Sequence, residues 1–365
     1  MRRNYICICM MLVAAVFFVG CTQKKAEAPS TAVESAPVFQ GGTYTVPVQG
    51  FNGAYTATVT VDGQSITDIV LGEHKETPHI GSTGLEIMVQ RMLDAQTAGV
   101  DAVSGATVST LMFRHAVSTA LKEAGAPAAL LAAPPVAKQE TQQLSTDVLV
   151  IGGGGAGLSA AIAAAREGAD VLLIEKQDIL GGSTAISAGI VYSALDDVDE
   201  TAVVDYYMDR AQGNADADLL GFYAGHSRDT IAFLEGIGVQ WMMKAPSGTA
   251  PEPRAHFSTG FTGTTLTEAL IAAAEAEGVT ILTGVKGTEL IQAADGSITG
   301  ARAASRTGDY VINAGAVILA TGGYDASTEM KELYAPSSAQ DFPLSNKGNT
   351  GDGISMGLAV GADSA

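Results

Sequence analysis

The apolar positions of this chain change their period several times, and each change marks an element. Residues 5–20 form an apolar stretch behind a short basic start, Met1-Arg2-Arg3-Asn4. Residues 22–40 are rich in Ala, Pro, Ser, Lys and Glu and show no hydrophobic period. Strand-like patterning then sets in: Thr43 to Val46, Tyr55 to Val61 and Ser65 to Leu71 read as three strands, with Asp62-Gly63 as a hairpin turn. Helices are predicted over 84–96 and 111–124, and the stretch 126–144, first Ala/Pro-rich and then polar, reads as a linker. Beyond it the pattern is α/β. Apolar strands are predicted over 147–151 and 170–174, with an alanine-rich helix to Arg166 between them. Helices follow over 201–238 and 266–277, then a strand over 280–283 and a hairpin turn at Asp295-Gly296. The run 316–319 reads as a buried parallel strand, and Met242 and Met243 beside Trp241 read as core.

The strand at 147–151 runs directly into Gly152-Gly153-Gly154-Gly155-Ala156-Gly157 and then into a helix. Glycine at 152 permits a tight turn, at 154 a close approach of backbone to a pyrophosphate, and at 157 close packing of helix on strand. The helix N-terminus adds unsatisfied N–H groups and the positive end of its dipole. The second strand ends in Glu175, at the offset of about 20 residues where a carboxylate meets a ribose 2′-hydroxyl. A carboxylate there disfavours a 2′-phosphate, so NADP is not the expected cofactor. These residues describe a Rossmann-like dinucleotide-binding domain.

A formal charge of −19 argues against a nucleic-acid partner, which needs a basic face. The three cysteines, Cys7, Cys9 and Cys21, all lie in the first 21 residues, so the remainder has neither a disulfide framework nor a cysteine cluster for a metal. A basic start, a short apolar run and a small residue before Cys21 describe a secretory signal over 1–20. Val19-Gly20-Cys21 resembles a bacterial lipobox, with Phe18 where leucine is usual. That resemblance implies that Cys21 is lipidated and that 21–40 is a flexible stalk, tethering the body to the extracytoplasmic face of the cell membrane.

Asp101-Ala102-Val103-Ser104-Gly105-Ala106-Thr107 resembles the motif of the FMN-binding domain of membrane-linked respiratory flavoproteins. The likeness makes 41–125 a small α+β FMN-binding domain. It implies that Thr107, at a helix N-terminus, carries FMN through a phosphodiester bond made by a flavin transferase. His74-Lys75-Glu76-Thr77 resembles the segment that lies beside that flavin, although a polar strand-end role for His74 fits equally well.

Residues 145–365 resemble the FAD-binding domain of the fumarate reductase/succinate dehydrogenase flavoproteins, carried on Gly181-Gly182-Ser183-Thr184-Ala185-Ile186-Ser187-Ala188-Gly189, on Ala320-Thr321-Gly322-Gly323 and on Asn349-Thr350-Gly351-Asp352. The resemblance implies FAD contacts at Gly152, Gly154, Ala156, Gly157, Glu175, Lys176, Gly181, Gly182, Ser183, Thr184, Ala188, Gly189, Val285, Ala320, Thr321, Gly322 and Asp352. Ser183 stands where the family usually has asparagine. Arg254-Ala255-His256 reads as a polar loop with a structural or FAD-adjacent role.

The implied activity is reduction of a small α,β-unsaturated carboxylate such as fumarate, urocanate or acrylate. Electrons would come from a membrane-linked donor through FMN to FAD. In the family the substrate-binding His and Thr-Glu belong to the capping domain that follows at this point, and the proton-donating Arg-Phe-x-Asn-Glu does not occur in these residues, so no catalytic residue is assigned. The chain is expected to be truncated before or at the substrate-capping domain, with an incomplete FAD sheet and apolar faces uncovered. A surface electron carrier without its own substrate site remains an alternative. A NAD-dependent dehydrogenase is disfavoured by the Gly-Gly-Ser-Thr and Ala-Thr-Gly-Gly segments.

Overall fold

A computed structural model describes residues 38–133, 136–194, 200–246 and 254–363. The expected leader, Cys21 and most of the stalk lie outside the described residues. In the first module β1 (Gly42–Gln49), β2 (Ala54–Val61) and β3 (Ile66–Leu71) form an antiparallel sheet in chain order. One face is covered by α1 (Gly81–Ala95) and α2 (Thr107–Glu123). The alternation along β2 sets that face: Tyr55, Ala57, Val59 and Val61 turn inward, into the core that holds Leu85, Met88 and Met92 of α1 and Phe113, Val117 and Leu121 of α2. Each large apolar side chain so removed from water contributes about 1.5–3 kcal/mol. The turn after β2 is closed by a side chain, because Asp62 Oδ1 accepts the backbone N–H groups of Gln64 and Ser65, both at 2.7 Å. Both helices start three or four residues before the apolar spacing suggests, since their first turns carry Gly, Ser and Thr.

The second part begins with β4 (Gln142–Ile151), α3 (Gly155–Arg166), β5 (Val171–Glu175) and the single turn α4 (Gly182–Ala185). β6 (Ile190–Ser193), α5 (Glu200–Arg210), α6 (Ala217–Gly236), β7 (Trp241–Pro246) and β8 (Arg254–Ser258) follow. The chain continues through α7 (Gly263–Ala276), β9 (Thr280–Thr283), β10 (Val285–Gln292), β11 (Ile298–Ser305) and β12 (Asp309–Leu319), then α8 (Thr328–Tyr334) and α9 (Asp352–Ala359).

The main sheet has the order β10-β11-β12-β4-β5-β9. Strands β12, β4, β5 and β9 are parallel, and β10 and β11 add an antiparallel extension. One face packs Val150, Val171 and Leu173 against Leu158 and Ile162 of α3 and Leu266 and Leu270 of α7. The other packs Leu149, Ile151, Leu172 and Ile174 against Val285, Leu290, Ala301 and Met356. Covered on both faces, β5 is buried at every residue, as a continuous apolar run in a parallel sheet should be.

Three expectations are corrected. Along β12 only Ile312 is buried, because β11 pairs with residues 309–313 and, among the described residues, the second half is paired with β4 alone. Arg254-Ala255-His256 is not a loop but the start of β8, the central strand of a second sheet ordered β6-β8-β7; pairing on both sides takes Ala255 and His256 inside. Met242 and Met243 sit on β7, an edge strand of that sheet, and are 51% and 43% exposed. The linker is also shorter than its composition suggests. β4 already begins at Gln142, with Gln142–Ser145 paired to Tyr310–Asn313 in the parallel ladder.

Candidate functional site

The C-terminal ends of β12, β4 and β5 open onto a cavity of about 790 Å³, within the usual range for a cofactor site. One wall is the turn between β4 and α3. Gly152 has φ 114°, and a Cβ on it would lie 2.3 Å from the Ala320 carbonyl oxygen. On Gly157 a Cβ would lie 1.9 Å from the Gly152 carbonyl oxygen. At Gly154 the nearest atom to a Cβ would be the Gly181 carbonyl oxygen, at 3.9 Å, so this residue leaves backbone open to the cavity. Two glycines thus let strand and helix close up while a third keeps space for a ligand. The N-terminus of α3 faces the same space through Gly155 and Ala156, which suits an anionic group.

Glu175 ends β5 at the cavity wall, 8% exposed. Its Oε2 accepts the Gly153 N–H at 2.7 Å and its Oε1 the Gln177 N–H at 2.8 Å. A carboxylate offers about four lone-pair sites, so bracing two amides leaves room for a ligand hydroxyl. The opposite wall comes from α4. Ser183 Oγ accepts the Asn346 N–H and the Asn349 Nδ2, both at 3.1 Å, and Thr184 Oγ1 accepts the Gly155 N–H at 3.2 Å. Serine at 183 therefore ties α4 to the 346–349 loop.

At the remaining side, Val285, Ala320, Thr321 and Gly322 line the cavity. Thr321 Oγ1 accepts the N–H of Gly353 at 3.0 Å, fixing the start of α9. Asp352, in the first turn of α9, receives Lys176 Nζ at 2.5 Å and Lys286 Nζ at 2.9 Å. Burial pushes its carboxyl up, but hydrogen bonds from Lys176 and Lys286 and their charges pull harder, so its pKa lies below the ordinary value.

Of the expected FAD residues, Gly152, Gly154, Ala156, Glu175, Lys176, Gly182, Ser183, Thr184, Val285, Ala320, Thr321, Gly322 and Asp352 line this cavity. Gly157, Gly181, Ala188 and Gly189 do not. Gly181, with φ 112°, lets its turn pack on Ala185 and Thr267, and a Cβ on Gly189 would lie 2.0 Å from Ser258 Oγ. Ala188 is exposed. Lys286, Asn346 and Asn349 line the cavity but were not anticipated. Asn349 opens the Asn349-Thr350-Gly351-Asp352 motif, whereas Lys286 and Asn346 carry no local signal.

In the first module, Thr107 is the first residue of α2 and is exposed. Two residues on, Ser109 Oγ donates to Glu76 Oε2 at 2.5 Å, bringing the 74–77 segment against the first turn of this helix. A pocket lined by Asn52, Gly53, Ala54, Glu73, His74 and Lys75 adjoins it. Among the described residues the Tyr55 hydroxyl and His74 Nδ1 are buried without a hydrogen-bond partner, and the two rings lie 5.5 Å apart. Burial, helped by the Glu76 charge, raises the Tyr55 pKa and keeps the phenol neutral. Buried polar atoms left unpaired beside a pocket fit a ligand that would satisfy them.

The sequence profile of the FAD binding domain matches residues 147–365, and that of the FMN-binding domain matches 50–122. The chain is 30% identical to urocanate reductase of Eggerthella lenta, over 99% of this chain and 62% of that protein. It is 36% identical to vinyl phenol reductase of Lactiplantibacillus plantarum, over 60% of this chain and 46% of that one. The chain thus spans less than two thirds of either relative. Among solved structures, the open conformation of a flavocytochrome c3 fumarate reductase superposes with a TM-score of 0.58 at 30% identity, covering 60% of this chain and 41% of that one. The chain belongs to the flavoprotein family built on this FAD-binding domain, with an FMN-binding domain ahead of it, and its cofactors are FAD and FMN.

Proposed function

We propose that this chain forms the flavin-bearing part of a reductase of small α,β-unsaturated carboxylates, of the fumarate, urocanate or acrylate kind. The observation that carries this reading is that the likeness to urocanate reductase runs through both modules, not only the FAD-binding domain. When bound, the two flavins supply electron transfer and a hydride for the carbon–carbon double bond. The chain's own residues bind and orient. The backbone from Gly152 to Ala156 and the N-terminus of α3 hold the pyrophosphate, and Glu175 takes a ribose hydroxyl while bracing the turn. The Ser183–Asn349 and Thr321–Gly353 bonds hold the walls in place before the ligand arrives, which lowers the ordering cost of binding. Thr107 Oγ carries FMN, attached by a flavin transferase.

The test uses the chain joined to a substrate-capping domain of the family, produced together with a flavin transferase and reduced anaerobically with dithionite. Fumarate, urocanate, acrylate or 4-vinylphenol is then added singly while flavin absorbance is followed. Reoxidation by at least one carboxylate is the expected result. Reoxidation by the vinyl phenol alone would overturn the substrate class, and reoxidation by ferricyanide alone would favour an electron carrier.

In the same reading Cys21 is lipidated, and the body works at the extracytoplasmic face of the membrane with a membrane-linked donor. Cys21→Ala should move the protein from the membrane fraction to the soluble one; continued membrane association would rule out this anchor.

A further inference from the structure

The loop between β5 and α4 serves two neighbours. Glu175, Lys176 and Gln177 line the FAD cavity, and so do Gly182, Ser183 and Thr184. Between them, Asp178 and Ile179 turn the other way, into the first module. Asp178 Oδ2 accepts the Ser104 N–H at 2.7 Å and the Ser104 hydroxyl at 2.8 Å, and its Oδ1 accepts Arg91 at 2.6 Å. The Asp178 N–H in turn donates to Ser104 Oγ at 2.7 Å. Ile179, 6% exposed, belongs to the hydrophobic core of the first module. A Cβ on Gly105, which has φ 98°, would lie 3.2 Å from Ile179 Cβ, and one on Gly84 would lie 3.6 Å from Ile179 Cδ1. A further ion pair joins Asp101 to Arg306, in the turn between β11 and β12.

These contacts fall on the segment that carries Thr107. Three of the residues of Asp101-Ala102-Val103-Ser104-Gly105-Ala106-Thr107, at 101, 104 and 105, meet the FAD-binding domain. Three peptide units at 3.8 Å place the Cα of Thr107 no more than about 11 Å from that of Ser104. We propose that Asp178 and Ile179 are positioning residues, a latch that fixes the Thr107 turn against the FAD-binding domain. One loop then sets the separation of the two flavin sites. The proposal rests on the reading that Thr107 carries FMN.

The chemistry suits a latch. A short, charge-assisted pair of hydrogen bonds to a backbone N–H and a hydroxyl is directional, and the ion pair to Arg91 adds a third point. The apolar plug at Ile179 fills the space that glycine leaves at 105 and touches the first-module core beside Gly84, so a displaced loop would expose it to water. The Asp178 carboxyl is pushed up by burial, but the Ser104 and Arg91 hydrogen bonds and the Arg91 charge outweigh this, keeping it ionised at neutral pH.

The experiment compares the wild-type chain with Asp178→Ala, both produced with a flavin transferase. It follows amide hydrogen exchange in the peptide covering 100–108, bound FAD and covalent FMN contents, and FMN-to-FAD electron transfer by stopped flow. Loss of hydrogen bonds to a charged group should speed exchange over 100–108 by about tenfold or more. FAD and FMN contents should hold, while electron transfer between the flavins slows. Asp178→Asn, which keeps an acceptor for Ser104 but loses the charge, should fall between the two. Unchanged exchange over 100–108 overturns the latch. Faster exchange with unchanged electron transfer overturns its role in flavin spacing, and loss of FAD would assign Asp178 to the cavity instead. If Asp178→Ala does not fold, Arg91→Ala gives the same readouts with a smaller expected change, about threefold in exchange, and unchanged exchange there is equally fatal. A wild-type chain without covalent flavin refutes the Thr107 reading by itself, and hydrogen exchange still decides the latch.

Discussion

The two flavin regions are built on opposite terms. The FAD cavity, of about 790 Å³, is walled by three strand ends and three helix starts, and its surface is largely backbone at Gly152, Gly154, Gly155 and Gly182. The first module offers an exposed threonine at a helix start and a pocket at the end of its sheet. A cavity with many lining residues can retain a ligand by shape and many weak contacts, whereas a small pocket beside one exposed hydroxyl holds it less firmly. In the proposed reading this difference is why FMN is held by a covalent bond at Thr107 and FAD is not.

The sharpest way to break this contrast is at the attachment point. Thr107→Ala should abolish covalent flavin altogether, seen as loss of in-gel fluorescence after denaturation, with extractable FAD retained. The next largest effect belongs to the packing of α3 on the turn behind the cavity. In Gly157→Ala the new Cβ would meet the Gly152 carbonyl oxygen at 1.9 Å, and backbone cannot yield as a flexible side chain would. Destabilisation of about 3 kcal/mol is expected, read as a lower denaturant midpoint and lost FAD. Glu175→Ala leaves the Gly153 and Gln177 N–H groups without their acceptor, at about 1–3 kcal/mol, and should weaken FAD retention about tenfold; unchanged flavin content would refute its role.

The smallest expected effect is electrostatic. Because the folded pKa of Asp352 lies below its unfolded value, its contribution to stability is fully present above about pH 3.9 and is lost as pH falls through the folded value. Asp352→Asn should therefore flatten the acid limb of the stability curve below that pH, by less than about 1 kcal/mol given that Lys286 is half exposed. An unchanged acid limb would show that the lysine pair contributes nothing measurable.

Much of the cavity was legible because its residues follow strand ends. Gly152 to Ala156, Glu175 and Lys176, and Ala320 to Gly322 each come directly after an apolar run, and a parallel sheet gathers such positions at one edge. Lys286 follows a strand start, and Asn346 sits in a loop of no regular period; neither position announces its neighbours. Gly181 and Gly189 carry the same glycine signal as cavity residues, yet both serve packing. A glycine required for close approach looks alike whether the approaching group is a cofactor or another turn.

By itself the sequence determined the order of the two modules, the inward face of β2, the buried run of β5 and the glycine turn into α3. These are properties of residues within about one element of each other, where spacing dictates which side chains share a face. Only the tertiary structure decided that Arg254 to Ser258 is a central strand, that β12 is half open and that Asp178 serves the first module. Each depends on a partner far along the chain, 74 residues away for Ser104 and 87 for Arg91, and periodicity does not encode the identity of a distant partner.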